Sequence, residues 1–158
     1  MIFSAMMNPE IILLQRKIAD YPERIDKMQK RYALVRAPKA HNIESAIKGL
    51  NAYILQLKVN SGSFDKISEF INADLKRLEE LMQEAWNGED DSKESLQLSH
   101  VQLQHAAATV ETYRRSIDAQ LDGAQVALEK LKLAQKQKKT FDVVNLLAMI
   151  EKGDGYTL

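Results

Sequence analysis

Several residue types that define other protein classes are missing or scarce in this chain of 158 residues. Cysteine is absent, which excludes disulfides, thiolate catalysis, iron–sulfur clusters and cysteine-ligated zinc. Six glycines and three prolines are too few for a loop-rich or all-β fold. No window approaches the roughly 18 uncharged apolar residues of a membrane span, and the first residues lack the pattern of a signal peptide. We therefore expect a helical protein without a membrane partner, which is cytoplasmic or is exported without a cleaved signal.

The chain has no excess of positive or negative charge, because 22 basic residues balance 22 acidic residues. The distribution along the chain is uneven: residues 1–60 carry a net charge of +5, residues 61–100 carry −6, and residues 101–158 carry +1. A neutral chain exerts no long-range attraction on nucleic acid or a membrane surface. We interpret the gradient as basic and acidic helices that pack beside each other.

A first helix is predicted to begin at Pro9, with Asn8 as its N-cap. Its apolar residues recur in steps of three and four over about four heptads, as in a coiled-coil seam. This seam consists of Ile11, Leu14, Ile18, Tyr21, Ile25, Met28, Tyr32 and Val35. It keeps its phase across Pro22, so either one kinked helix or two coaxial helices, the second capped by Asp20, would fit. The segment 36–39 ends the helix, since a residue before proline avoids the helical conformation.

Two further helices are predicted between residues 42 and 87. Asn42 caps the first of them, and the cluster Asn60-Ser61-Gly62-Ser63 is typical of a turn that ends it. Ser63 would then cap the next helix, which ends at Asn87-Gly88.

The fourth segment is predicted to be one long helix, about 94–139, with a length of about 69 Å at about 1.5 Å per residue. An apolar row recurs in it every seven residues without interruption: Leu96, Leu103, Val110, Ile117, Ala124 and Leu131. A companion row drifts from Ala106 and Tyr113 to Leu121 and Leu128, as expected for 3.6 residues per turn. Gly123 is the weak point, so the helix is either continuous or bent there.

A short last helix is predicted to begin at Thr140 and to end at Gly153. Its apolar stripe comprises Phe141, Val144, Leu147 and Ala148, with Val143, Leu146 and Ile150 beside it. Residues 1–8 and 153–158 are expected to be loose termini. The sequence thus predicts an all-α fold: a single domain, 1–158, built as an antiparallel helical bundle with coiled-coil character and one long helix.

The sequence contains no recognisable motif of a catalytic or metal-binding site. The three histidines, His41, His100 and His105, lack the Glu-x-x-His spacing of di-iron bundles. There is no nucleophile elbow and no glycine-rich phosphate loop. We therefore predict no enzymatic activity, no metal and no cofactor.

The apolar seams are the strongest indication of function. The first helix has a seam of about 40 Å to fill, either on the bundle or on a second chain. We therefore predict a protein–protein interaction module, an adaptor, chaperone or scaffold component, whose partner is a helical protein or a second copy in a homodimer. The candidate partner-binding residues are Ile11, Leu14, Ile18, Tyr21, Ile25, Met28 and Tyr32.

Nucleic-acid binding is the alternative hypothesis. Basic clusters lie near residues 24–39 and 130–139, and the candidate phosphate contacts are Arg24, Lys27, Arg31, Lys132, Lys136 and Lys139. The second cluster has no interleaved aromatic residue for base stacking. It also lies at a helix C-terminus, where cations offset the helix dipole. For these reasons we rank nucleic acid below protein as the partner.

Overall fold

The computed structural model describes residues 8–87, 93–137 and 142–151, of which 92% are helical. Within these ranges it contains no strand and four helices: α1 (Pro9–Ala33), α2 (Ile43–Asn87), α3 (Lys93–Gln137) and α4 (Val143–Glu151). The prediction of an all-α helical bundle is thus confirmed. None of the described helices combines the length and the apolar character needed to cross a membrane.

The first two helices begin where their capping residues predict. Asn8 Oδ1 accepts a hydrogen bond from the Glu10 amide at 3.0 Å, and Asn42 Oδ1 accepts one from the Ser45 amide at 2.8 Å. Each cap satisfies a donor that has no partner within its helix. These two helix starts are therefore confirmed.

Helix α1 runs through Pro22 as one helix, which is the first of the two predicted alternatives. Ile18 and Ile25 are buried on either side of the proline. Burying each such side chain contributes about 1.5–3 kcal/mol, enough to offset the roughly 3 kcal/mol that an interior proline costs. The helix ends at Ala33, so Val35 lies outside it.

Helix α2 shows that the predicted break at Asn60–Ser63 is wrong, because the helix is continuous from Ile43 to Asn87. An apolar row passes through the supposed turn every seven residues and is fully buried: Leu50, Leu57, Phe64, Ile71, Leu78 and Ala85. The burial of this row outweighs the helix-breaking tendency of the four small and polar residues. Ser63 is not an N-cap, since its hydroxyl donates to the Val59 carbonyl one turn earlier at 3.2 Å.

Helix α3 is continuous through Gly123, and the predicted seven-residue row is buried along its whole length. The companion row differs from the prediction. Ala127 and Ala134 are buried, whereas Leu121 and Leu128 are only half-buried. The second row therefore keeps its register from Ala106 by using small residues, and it does not drift to the two leucines.

Helix α4 begins later than predicted, and its buried face is different. Asp142 is its N-cap and accepts a hydrogen bond from the Asn145 amide at 3.1 Å, while Thr140 and Gly153 lie outside the described residues. The buried side chains are Val143, Leu146, Leu147 and Ile150, and Val144 is 53% exposed. The start differs because an aspartate is as good a cap as a threonine, and the buried face includes the residues placed beside the predicted stripe, with Leu147 common to both.

Contacts within the chain divide it into two compact units. Unit 1 comprises residues 1–27 and 65–112, and unit 2 comprises residues 28–64 and 113–158. Helices α2 and α3 each contribute to both units, so the prediction of a single domain stays a prediction. The loose termini that we predicted fall, apart from residue 8, outside the described residues.

Within unit 2, α2 and α3 pack in antiparallel directions. Tyr53 bonds Gln120, and Phe64 contacts Tyr113 with 5.7 Å between the ring centroids. As the residue numbers increase along α2, the numbers of the residues that they contact on α3 decrease. This is the antiparallel bundle that the sequence predicts.

Candidate interaction surfaces

The seam of α1 is covered by the chain itself. Five of the seven candidate partner-binding residues are at most 8% exposed and belong to the core of unit 1: Ile11, Leu14, Ile18, Tyr21 and Ile25. Met28 and Tyr32, in unit 2, are half-buried. These five side chains are therefore not accessible to a partner, and a partner-binding surface would lie elsewhere on the chain.

A buried carboxylate fixes α1 against α2 in unit 1. Asp74 is 7% exposed, and its two oxygens accept hydrogen bonds from the Tyr21 hydroxyl at 2.5 Å and from Lys17 Nζ at 3.0 Å. Burial of Tyr21, together with its bond to the Asp74 carboxylate, raises the pKa of the phenol. The guanidinium of Arg24 lies over the Tyr21 ring, 5.5 Å from its centroid, in a cation–π contact.

A second charged contact joins the same two helices. Arg77 on α2 binds both carboxylate oxygens of Glu10 on α1, with 2.7 Å between Nη2 and Oε2, and it also reaches Glu80 at 2.9 Å. The hydrogen bonds from Arg77 lower the pKa of Glu10. Such two-point pairing fixes orientation as well as distance.

Unit 2 uses neutral hydrogen bonds for the same purpose. The hydroxyls of Tyr32 and Tyr53 both donate to Oε1 of Gln120, at 2.9 and 3.3 Å. Ser116 lies 3.3 Å from the Tyr32 hydroxyl. Burial raises the pKa of Tyr32, although the Ser116 bond opposes this shift. Tyr32, proposed from sequence as a partner contact, is thus engaged with α3.

Asn60 is a buried polar residue that the sequence analysis assigned to a turn. It is 4% exposed, and its Nδ2 has no hydrogen-bond partner. Asn60 and Asp74 belong to one seven-residue row of α2, whose other members are apolar or aromatic: Ala46, Tyr53, Ile67 and Leu81. This row was the available signal for both residues, and it was missed because the helix was divided between them.

The candidate phosphate-binding residues that the structure describes are divided between the two units. Arg24 and Lys27 belong to unit 1, where Arg24 lies over Tyr21 and Lys27 pairs with Glu23 at 3.3 Å. Arg31, Lys132 and Lys136 belong to unit 2 and are exposed. Lys139 lies outside the described residues.

The histidines are placed without a recognisable metal site. His100 lies 3.4 Å from Glu79 in unit 1, and His41 and His105 are exposed. In the portion of the chain that is described, no group of three or more histidine and acidic residues could hold a metal ion.

An exposed apolar row lies on the part of α2 that belongs to unit 2. Leu55 is 64% exposed and Val59 is 56% exposed. With the exposed residues Ala52 and Gly62 they recur at steps of three, four and three, so they share one helix face. We call these four residues the α2 stripe. A Cβ added to Gly62 would meet nothing within 4 Å, so the backbone is accessible there.

The charges along α2 beside the stripe are mainly basic, with Asp65, three residues after Gly62, as the acidic exception. Lys48 lies one turn before Ala52, Lys66 one turn after Gly62, and Lys58 between Leu55 and Val59; all three lysines are exposed. Between Glu44 and Asp65, α2 has no acidic residue. The stripe is therefore an apolar strip with a basic border.

A small cleft also lies in unit 2, between the α1–α2 connection and α4. Its volume is about 230 Å³. The residues that line it are Pro38, Lys39, Ala40, His41, Val144, Leu147 and Ala148.

Comparison with known proteins adds no function to this geometry. No protein-family profile, no curated protein and no solved structure matches the chain at a significant level.

Proposed function

We propose that this protein is a non-enzymatic interaction module, an adaptor, chaperone or scaffold component, that binds an acidic amphipathic helix of another protein through the α2 stripe. The observation that carries the proposal is the exposure of Leu55 and Val59 one turn apart on a face that ends at an open Gly62. Recognition of a helix by an apolar strip is a common mode of protein binding.

The physical gain comes from covering the two side chains. Full burial of a leucine or valine contributes about 1.5–3 kcal/mol. At Gly62 a second helix backbone meets no Cβ, and this allows a close approach. Two such anchors contribute part of the binding free energy, and polar contacts at the border disfavour mismatched partners.

The lysines favour a partner of opposite charge over a second copy of the chain. In a two-fold symmetric dimer the same patch lies on both sides of the interface. Lys58 and Lys66 of one copy would then approach the same basic border of the other, which costs energy. We therefore place the helical partner predicted from sequence on another protein, with acidic residues beside its apolar face.

The test is affinity capture from the native host with three versions of the protein. The wild type is compared with the double variant Leu55→Glu/Val59→Glu and with the matched double variant Leu98→Glu/Val101→Glu. Leu98 and Val101 are 61% and 60% exposed on α3 in unit 1, so the control makes the same chemical change at the same exposure. Mass spectrometry identifies the proteins retained.

The proposal predicts a partner that the wild type and the Leu98/Val101 variant retain and the Leu55/Val59 variant loses. With the purified partner, the Leu55/Val59 variant should bind at least about 100-fold more weakly, which is about 2.7 kcal/mol. Equal retention by all three proteins, or loss with the Leu98/Val101 variant alone, would contradict it. A dimer mass in light scattering that only the Leu55/Val59 change abolishes would show that a second copy occupies the stripe.

Nucleic-acid binding remains the alternative, favoured by the exposure of Lys132 and Lys136 one turn apart on α3. The test is a salt titration of labelled duplex and single-stranded oligonucleotides with the wild type and with Lys132→Gln/Lys136→Gln/Lys139→Gln. The interaction-module proposal predicts binding weaker than about 100 µM at roughly 150 mM salt, with no difference between the proteins. Sub-micromolar binding that collapses in the variant would support the alternative.

A further inference from the structure

The small cleft between residues 38–41 and α4, which we call the Pro38 cleft, has walls that the chain holds in place. Pro38 packs against Gly49 of α2 so closely that a Cβ at Gly49 would lie 2.6 Å from the Pro38 Cβ. On the other side, α4 is capped by Asp142 and fixed by the buried side chains of Leu146 and Ile150. The cleft is therefore a feature of the folded unit, present without a ligand.

The size of the Pro38 cleft selects its occupant. Its volume is about 230 Å³, whereas clefts that enclose whole drug-sized ligands measure about 300–1,000 Å³. A cavity of about 150 Å³ already accepts a benzene ring. The cleft therefore accommodates one aromatic ring or one branched aliphatic group, which is the size of a single anchoring side chain.

The residues that line the cleft favour a negative charge next to the inserted side chain. Pro38, Ala40, Val144, Leu147 and Ala148 provide the apolar surface, and Lys39 and His41 also line the cleft. Among the described residues that line it, none is acidic. A carboxylate next to the inserted group would meet a basic side chain, whereas a cationic neighbour would be repelled.

We propose that the Pro38 cleft is a second binding site, which takes one phenylalanine or leucine side chain from an acidic peptide segment of a partner protein. That the ligand belongs to a protein rests on the proposed function, but the site is separate from the α2 stripe. None of the residues that line the cleft belongs to the α2 stripe, although Gly49, which supports the cleft, lies one turn before Ala52. The two sites therefore fail or succeed independently.

The experiment uses three synthetic peptides and the full chain labelled with ¹⁵N. The first peptide has one phenylalanine with two glutamates on either side, the second has alanine in place of the phenylalanine, and the third has lysines in place of the glutamates. Amide shifts in NMR spectra report both the affinity and the place of binding. We expect the first peptide to shift residues 38–41 and 144–148, and the other two to bind at least about tenfold more weakly.

Variants of the chain locate the contact. Ala148→Phe fills the cleft with a side chain on an exposed helix position, and it should abolish binding of the phenylalanine peptide. Lys39→Glu should weaken binding at least about tenfold, whereas Lys76→Glu, the same change at an exposed lysine of unit 1 that belongs to neither site, should leave it unchanged. The variant Leu55→Glu/Val59→Glu should bind the peptide as the wild type does.

Four results would overturn the proposal. Equal binding of the alanine peptide would show that no side chain is anchored, and unchanged binding by Ala148→Phe would place the peptide elsewhere. Phenylacetate, tested as a free small carboxylate, should bind far more weakly than the peptide; equal affinity would make the cleft a small-molecule site. If the Leu55/Val59 variant loses the peptide, the segment sits on the α2 stripe, and the proposed function survives while the cleft assignment fails.

Discussion

The two compact units are built from parts of the same long helices, yet they are held together by different interactions. In unit 1 the contacts between α1 and α2 involve charged groups. The Asp74 carboxylate accepts hydrogen bonds from Lys17 and Tyr21, and the Arg77 guanidinium donates to the Glu10 carboxylate. In unit 2 the described contacts include neutral hydrogen bonds at Gln120 and close packing of Pro38 on Gly49. Both candidate binding surfaces, the α2 stripe and the Pro38 cleft, lie in unit 2.

The charged contacts of unit 1 bear on the stability of the fold, whereas both candidate binding surfaces lie in unit 2. A charge that is buried with its partners is strongly disruptive when one partner is removed, and it also specifies one alignment of the helices. Unit 1 therefore depends on a few charged residues. Unit 2 contains both candidate binding surfaces, although exposed apolar residues occur in each unit, for example Leu55 in unit 2 and Leu98 in unit 1.

The largest effect is expected at the buried carboxylate of unit 1. Asp74→Ala leaves the buried Tyr21 hydroxyl without its acceptor, and we expect a loss of about 2–3 kcal/mol in the free energy of unfolding. Urea unfolding measures the loss, and hydrogen exchange of residues 9–27 shows whether it falls on unit 1. Glu69→Ala, which removes an exposed carboxylate from the same helix, should stay within about 0.5 kcal/mol. Equal stability of the two variants would contradict the role of Asp74.

The next effect tests the packing of unit 2. Gly49→Ala places a Cβ 2.6 Å from the rigid ring of Pro38, so the α1–α2 connection has to move. Overpacking of this kind costs about 1–3 kcal/mol, which exceeds the roughly 1 kcal/mol that alanine gains over glycine in a helix. We expect net destabilisation in thermal unfolding and faster hydrogen exchange in residues 34–42. A stabilised variant would show that Pro38 moves freely.

A smaller effect of opposite sign is expected at the second glycine of the same helix. Gly62→Ala adds a methyl group to open space, so only the gain in helix propensity remains. The free protein should become more stable by about 0.5–1 kcal/mol. The melting temperature measures this change, and a decrease would show that the α2 backbone is strained at this position.

The smallest expected effect concerns alkaline pH and sharpens the contrast at Tyr21. The pKa of Tyr21 is raised in the folded chain by burial and by the Asp74 carboxylate, so the folded state holds the phenolic proton more tightly than the unfolded state does. This contribution to stability is complete below the unfolded tyrosine pKa of about 10 and is lost as the pH rises above it. Tyr21→Phe should lose less stability than the wild type between about pH 9 and pH 11. Identical slopes of unfolding free energy against pH would contradict the assignment.

The sequence predicts those features of the fold that depend on local and periodic signals. Asn8 and Asn42 are caps because a side-chain oxygen next to a helix start satisfies a free amide. The buried row of α3 from Leu96 to Leu131 follows from a seven-residue repeat without gaps. Both signals are complete within a short stretch of sequence.

The remaining features depend on contacts that a single helix does not reveal. The turn predicted at Asn60–Ser63 was wrong because local propensity was weighed without the apolar row that continues on both sides. Whether the seam of α1 packs on the bundle or on a second chain stayed open, because the sequence does not show that α2 supplies Asp74 to Tyr21. The α2 stripe and the Pro38 cleft were not predicted, since exposure of Leu55 and the meeting of Pro38 with α4 are properties of the fold.

The most direct test of the proposed function is site-specific photo-cross-linking in the native host. A photoreactive amino acid replaces Leu55 in one version of the protein and Leu98 in another, two leucines of similar exposure in different units. The account predicts that position 55 yields a discrete cross-link to a different protein, mapped by mass spectrometry to a helix with acidic residues, and that position 98 yields none. Cross-links of equal yield at both positions, or a cross-link at position 98 alone, would contradict it.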